Sequence, residues 1–202
     1  MIEIKKLTDQ ISYIPSCEDP LSSDVVLISG KESLYVFDVG NLPEITEYLN
    51  SLAKKKTVIF SHFHIDHTGG LKNLEYDRLL VGNYAKKTLN VGTEVTEPIL
   101  IEDGVSLLVF PVPSSHAKGS LGLTVNGEIS FLGDATYQTW KAARPYYNQQ
   151  ILLEEITLLE TLPSSRFFLS HSGGKLRKKE TVLRLLKDIY AKRTKDEPFI
   201  YM

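Results

Sequence analysis

The five histidines of this chain are His62, His64, His67, His116 and His171. Three of them fall in Ser61-His62-Phe63-His64-Ile65-Asp66-His67, which also carries Asp66. Imidazole and carboxylate together suit zinc, manganese, iron or cobalt. His62 and His64 are two apart, so in extended chain both side chains point the same way. Asp66 and His67 lie where Thr68-Gly69-Gly70 marks a change of chain direction, and so can face a second point. With His116, Asp134 and His171 there are seven candidate ligands. A closed structural zinc site uses four and is normally cysteine-rich. This chain has one cysteine, Cys17, which is read as a loop or core residue. Seven ligands fit two metal ions that share a bridging group and keep positions open. Polar residues this dense behind a buried strand would otherwise carry an uncompensated desolvation cost.

The elements that must position these residues can be read from periodicity and turn chemistry. Ile2-Glu3-Ile4 and Ile11 to Ile14 read as strands. Val25 to Ser29 and Ser33 to Phe37 flank the turn Gly30-Lys31-Glu32 as a hairpin. A helix follows, with Asn41 as N-cap, Pro43 in the first turn, and Ile45, Tyr48, Leu49 and Leu52 as its apolar stripe. Thr57-Val58-Ile59-Phe60 is a short buried strand ending at the histidine cluster. Ile99 to Ile101, Val105 to Phe110, Leu121 to Val125 and Ile129 to Leu132 read as further strands, with Asn126-Gly127 a tight-turn signal. A helix is expected over Gln149 to Thr161, a strand over Arg166 to Leu169, and a last helix over Lys178 to Lys192. Val182, Leu185, Leu186 and Ile189 are expected on one face of that helix. Three strand ends are followed by a histidine and a fourth by Gly133-Asp134, so the ligands converge on one sheet edge.

The 202 residues suit a single domain spanning 1–202, α/β or α+β in class. Hydrophobic residues are 42% and charged residues 24%, the balance of a globular protein. Net charge is −2, so no basic field exists to hold nucleic acid, and a small-molecule substrate is expected instead. MIEIKKLTDQ lacks the apolar region of a secretory signal, and no apolar run approaches the ~18 residues that span a membrane. With no disulfide available either, the expected location is cytoplasmic.

The motifs together resemble those of the metallo-β-lactamase superfamily. Phe37-Asp38-Val39-Gly40 is similar to its first motif and His62-Phe63-His64-Ile65-Asp66-His67 to its signature. His116, Gly133-Asp134 and His171 resemble the remaining three, in order. The resemblance implies a four-layer αββα sandwich of two mixed β-sheets with helices outside. It implies one metal on His62, His64 and His116, and a second on Asp66, His67 and His171, with Asp134 bridging. Asp38 would hold the ligand loops without binding metal. The expected cofactors are two divalent ions, zinc first, with manganese, iron or cobalt as alternatives.

Metals of this kind lower the pKa of bound water, so hydroxide becomes available at neutral pH to attack a carbonyl ester. Asp66 could orient or accept the proton in addition to ligating. Flavin-coupled oxygen reductases of the superfamily carry glutamate where this chain has His64. Lactonases and glyoxalase II-like thioesterases share the full ligand set. In acyl-homoserine lactone lactonases a tyrosine follows the bridging aspartate by three residues and hydrogen-bonds the substrate, so the resemblance implies a catalytic Tyr137 whose hydroxyl donates to the carbonyl or the leaving oxygen. Here Asp134-Ala135-Thr136-Tyr137 places Tyr137 at that offset, which favours a lactone over a thioester. A metal-binding protein without catalysis and an iron redox enzyme are the other classes. The segment Tyr137 to Tyr147 could wall an acyl-chain pocket, with Lys141 or Arg144 meeting a carboxylate. Lys118 is read as a solvated loop lysine.

Overall fold

Strand alternation sorts the apolar residues of the first half onto two faces of one sheet. Val26, Ile28, Tyr35, Phe37 and Ile59 point to one side and join the central core. Val25, Leu27, Leu34, Val36 and Val58 point to the other. In the computed structural model, which describes residues 2–202, this sheet has seven strands. In spatial order they are Lys5–Lys6, Ile11–Ile14, Val25–Ser29, Ser33–Phe37, Lys55–Ile59, Arg78–Val81 and Thr93–Glu94. The first four pair antiparallel and the rest parallel, so the sheet is mixed.

The second sheet has six strands, Ile99–Glu102, Ser106–Val112, Ser120–Val125, Ile129–Phe131, Arg166–Phe168 and Leu176–Lys178, also adjacent in that order. Only Ile129–Phe131 with Arg166–Phe168 pairs parallel. Leu107, Val109, Leu121, Leu123 and Phe131 face the first sheet and complete the central core. Helices α1 (Pro43–Ser51) and α3 (Asn83–Leu89) lie on the first sheet's outer side, with Ile45, Leu49 and Ala85 buried there. Between them in sequence is a one-turn helix, α2 (Ile65–Thr68). Helices α4 (Gln149–Thr161) and α5 (Lys179–Ala191) cover Phe110, Val112, Leu132 and Phe167 of the second sheet. The order of layers is helix, sheet, sheet, helix, as expected.

Several local expectations are corrected. Ile2-Glu3-Ile4 is not a strand; the edge strand is Lys5–Lys6, whose partners are Ser12 and Tyr13. Leu42, not Asn41, occupies the N-cap of α1 and gives no side-chain bond. Asn41 instead donates its N–H to Ser22 Oγ at 2.9 Å. Arg78–Val81 and α3 had no reading, because a four-residue buried run and a seven-residue helix carry too little periodicity. Leu185 is 59% exposed, so the stripe of α5 is narrower than expected. Residues 137–147 are no irregular loop. Thr139–Lys141 and Arg144–Asn148 pair antiparallel, and the latter pairs with Phe199–Tyr201. Lys141 Nζ stands 4.7 Å from the ring centroid of Phe199, which occupies it.

Glu155 of α4 departs most from polar-outside patterning. It is fully buried, and neither carboxylate oxygen has a hydrogen-bond partner. Burial pushes its pKa well above the ordinary carboxylate value. The folded state therefore holds this proton more tightly than the unfolded chain does. Its favourable contribution is complete below the unfolded pKa and fades as pH rises through the folded one. Replacing Glu155 with Leu should raise stability at pH 8 by about 1–3 kcal/mol. The gain should be smaller at pH 4.5. Urea midpoints at the two pH values measure this, and an equal shift at both would refute it.

Candidate metal centre

The strand Lys55–Ile59 carries the chain to the open edge between the sheets, where Phe60-Ser61-His62 follows. His64 is the N-cap of α2, and Asp66 and His67 lie within its single turn. The change from extended chain to helix after His64 turns Asp66 and His67 away from His62 and His64, as the spacing predicts. Main-chain bonds pin this turn to its neighbours. Val39 N–H donates to His67 O and Ser23 N–H to Asp66 O, both at 2.9 Å. His116, Asp134 and His171 arrive from the second sheet, each just past a strand.

The seven side chains form two groups: His62, His64 and His116, and then Asp66, His67, Asp134 and His171. In each group one ligand atom per residue lies within 4.8 Å of all the others. His64 Nδ1 is 2.9 Å from His62 Nε2 and 3.2 Å from His116 Nε2. Four donors around a zinc ion at ~2.0–2.1 Å would stand about 3.3 Å apart, so the histidine trio has the right span. Asp134 Oδ2 lies between the groups, 3.4 Å from His67 Nε2 and 3.5 Å from His116 Nε2. Asp66 Oδ2 is 3.1 Å from His171 Nε2 and 3.3 Å from His67 Nε2.

Two buried atoms give an independent test of fit. His67 Nε2 and Asp134 Oδ1 have no hydrogen-bond partner. Orphaned polar atoms are costly in a protein interior and need a reason. An ion held by these residues supplies one. Burial, then the neighbouring imidazoles, lowers the pKa of His62, and the same causes lower that of His64. A neutral imidazole is the form that offers a lone pair. Burial alone would raise the Asp66 and Asp134 carboxyls, but His171 and His67 at Asp66, and His67 at Asp134, hold them below the usual range. The site is open at its rim, since the side chains of His116 and His171 are 21% and 24% exposed.

The residues behind the ligands set their orientation. Asp38 Oδ1 accepts from Ser61 N–H at 2.8 Å, and Oδ2 accepts from Ser61 Oγ at 2.7 Å and His67 Nδ1 at 2.7 Å. His67 Nδ1 therefore carries a proton and Nε2 is turned to Asp66 and Asp134. Burial works against charge on His67, but Asp38, Asp134 and Asp66 raise its pKa, and an ion at Nε2 would take the place of a second proton. Ser61 Oγ, its own proton given to Asp38, accepts from His62 Nδ1 at 3.0 Å, which leaves His62 Nε2 free to ligate. One carboxylate thus sets the tautomer of a histidine in each group. Asp38 adopts φ 60°, a conformation a non-glycine residue holds only under strong local constraint. His116 Nδ1 donates to Gln138 O at 3.2 Å.

Sequence reasoning missed Asp24. It is 1% exposed and accepts His171 N–H through Oδ2 at 2.9 Å and Ser16 N–H through Oδ1 at 3.1 Å. Nothing in Ser22-Ser23-Asp24 marks it apart from any polar run before a strand. His171 itself sits at φ 57°, held by that bond. Tyr137 also acts on this segment, because its hydroxyl donates to Ser170 O at 2.6 Å. Burial and then Asp134 push its pKa up to about 12, so the proton stays.

Gly133 packs against Ser61 with no room for a side chain. Its φ is 54°, and a Cβ there would overlap the Ser61 side chain. Gly133→Ala should cost about 1–2 kcal/mol from backbone strain alone. It should also weaken zinc binding by pushing Ser61 off Asp38. Unchanged zinc affinity in a chelator competition would show that Ser61 has room to move.

Residues 19–78 match the family model of the metallo-beta-lactamase superfamily. No curated protein matches the sequence. Among solved structures, a metallo-beta-lactamase from Pontibacter korlensis is 18% identical with a TM-score of 0.69, over 93% of this chain and 100% of that one. A B3 metallo-beta-lactamase with an active-site glutamic acid is 13% identical with a TM-score of 0.72, over 96% of this chain and 90% of that one. A flavoprotein from Thermotoga maritima is 14% identical with a TM-score of 0.71, over 97% of this chain. This chain spans 63% of that flavoprotein's length. At such identities the overlap establishes the fold. The matched segment ends just past the histidine cluster, while the structural likeness extends over nearly the whole chain; the chain has the fold of the metallo-beta-lactamases, and its residues 19–78 match that superfamily's model.

Proposed function

We propose that this chain is a hydrolase acting on a carbonyl ester at the seven-residue centre, with a lactone as first substrate and a thioester as alternative. The observation that carries the reading is the pair of donor groups joined at Asp134 Oδ2, with His116 and His171 still reachable from solvent. A structural site would be closed, whereas a catalytic one keeps a position for substrate. Two divalent ions, held by His62, His64 and His116 and by Asp66, His67 and His171, would supply a water of lowered pKa and an electrophile for the carbonyl.

The chain's own residues orient and hold. Asp38 and Ser61 fix the tautomers of His62 and His67, and the Gln138 carbonyl does the same for His116. Asp24 and Tyr137 hold the segment that presents His171. The lactone preference rests on the spacing of Tyr137 from Asp134. In this arrangement the Tyr137 proton is given to Ser170 O, which makes Tyr137 a positioning residue.

The test compares an acyl-homoserine lactone with an acyl-glutathione thioester, using protein loaded with zinc or manganese. Lactone turnover should exceed thioester turnover. Tyr137→Phe should slow both equally, since its role is to hold the His171 segment. A selective loss on the lactone would return Tyr137 to the substrate. A redox reading draws on the overlap with a flavo di-iron protein from Thermotoga maritima. Iron-loaded protein that consumes oxygen and turns over neither ester would replace the hydrolase reading with that one.

A further inference from the structure

Outside the donor set, a cleft of about 530 Å³ runs between Thr136–Gln138 and α5. Its floor is apolar: Leu169, Val182, Leu186 and Ile189 line it, each 5% exposed or less. Its rim carries Leu185, which projects into solvent from α5 with nothing of this chain covering it. Arg177, Arg184 and Asp188 are the charged side chains at the cleft. Among the described residues neither arginine takes part in an ion pair. The volume lies in the ~300–1,000 Å³ range of small-molecule sites.

Two contacts tie this cleft to the metal centre. Gln138, in its wall, accepts the hydrogen bond from His116 Nδ1 at its main-chain carbonyl. Tyr137, in the same wall, holds Ser170 O beside His171. A ligand here would rest against the two residues that orient a histidine of each group.

We propose that this cleft binds a small amphiphilic monoanion, an apolar chain ended by one carboxylate. The chain lies on the apolar floor and the carboxylate meets Arg177 and Arg184. Arg177 and Arg184 are exposed at the rim, where a carboxylate at the end of the chain can reach them. Among the cleft's charged side chains the two arginines outnumber Asp188, which favours one carboxylate over an uncharged head group, while a dianion would meet Asp188 as well. Guanidinium groups suit carboxylate because their planar donor fork matches it in bidentate geometry. The site uses none of the metal ligands and stands whether or not the centre hydrolyses esters.

The test is calorimetric titration of sodium decanoate, below its micelle concentration, into zinc-loaded protein and into protein treated with chelator. Decanoate should saturate one site in both. 1-Decanol should bind at least tenfold more weakly, and glutarate, which lacks the chain, should not bind. Arg177→Gln with Arg184→Gln should weaken decanoate at least tenfold and leave 1-decanol unchanged. Leu185→Asp should weaken decanoate with an unaltered unfolding midpoint. No saturable decanoate binding, or equal binding of decanoate and 1-decanol, overturns the proposal, as does an undiminished affinity in the double variant. Competition between decanoate and an ester substrate would place the substrate's own tail in the cleft, and an effect on kcat alone would make the ligand a separate effector; both carry the proposal. Decanoate binding without any ester turnover would sink the hydrolase reading and leave this one standing.

Discussion

Asp134→Asn should leave the fold intact, remove one of two metal equivalents and lower hydrolysis by well over 100-fold. The carboxylate is the one group that approaches ligands of both sets, His67 and His171 on one side and His116 on the other. Asn has the same shape but a single acceptor oxygen, and its NH₂ donates only. In either orientation that NH₂ points at ligand atoms or at the buried place where Oδ1 has no partner. Losing an outer partner of a ligand costs roughly 10–100-fold in affinity or activity, so losing a shared ligand must exceed that. Elemental analysis and steady-state kinetics on the same preparation decide it. Two metals per chain with full activity would remove Asp134 from the centre.

Asp38→Asn is expected to fall lower on the same scale, with metal affinity down roughly 10–100-fold. The exchange is chosen for its backbone. Asparagine tolerates the left-handed conformation at φ 60°, so strain is matched and the change isolates the carboxylate. Asp38 accepts three hydrogen bonds, two of them at Oδ2. An amide cannot accept at both ends, so at least one donor among Ser61 N, Ser61 Oγ and His67 Nδ1 loses its partner. An unsatisfied buried group costs about 1–3 kcal/mol of stability. The tautomers of His62 and His67 are then no longer enforced, which is the route to the metals. Asp38→Ala should be less stable still, by a further ~1–2 kcal/mol from left-handed strain. Chelator competition reads the affinity and urea unfolding the stability. A loss of stability with zinc affinity unchanged would mean Asp38 serves only the strand end.

How much of this was legible beforehand follows from the range of the forces involved. Ligand identity is local: His62, His64, Asp66 and His67 are set by residue type, by a two-residue period and by the turn after them. The facing of side chains is nearly as local, because alternation in Val25–Ser29 and Ser33–Phe37 and the helical stripes of α1 and α5 assign each side chain a face. Short elements escaped, as Arg78–Val81 and α3 did, because a few residues do not complete a period.

What only the tertiary structure decided are relations between distant parts of the chain. Asp24 meets His171 across 147 residues, and no spacing rule reaches that far. Ser61 reads as one more polar residue beside the histidines, yet its hydroxyl joins Asp38 to His62. The offset of Tyr137 from Asp134 is a sequence fact, but which oxygen takes its proton depends on where Ser170 lies. Leu185 and Glu155 look ordinary on a helical wheel, and one is exposed at a cleft while the other is buried without a partner. The sequence by itself offered the candidate donors and a layered α/β class, since residue type and periodicity act within a few residues, while the grouping of the donors and the order of the layers came from the family resemblance. The tertiary structure decided which nitrogen faces the centre, what holds it there and which surface stays uncovered, because hydrogen bonds and packing are made between whichever groups the fold brings together.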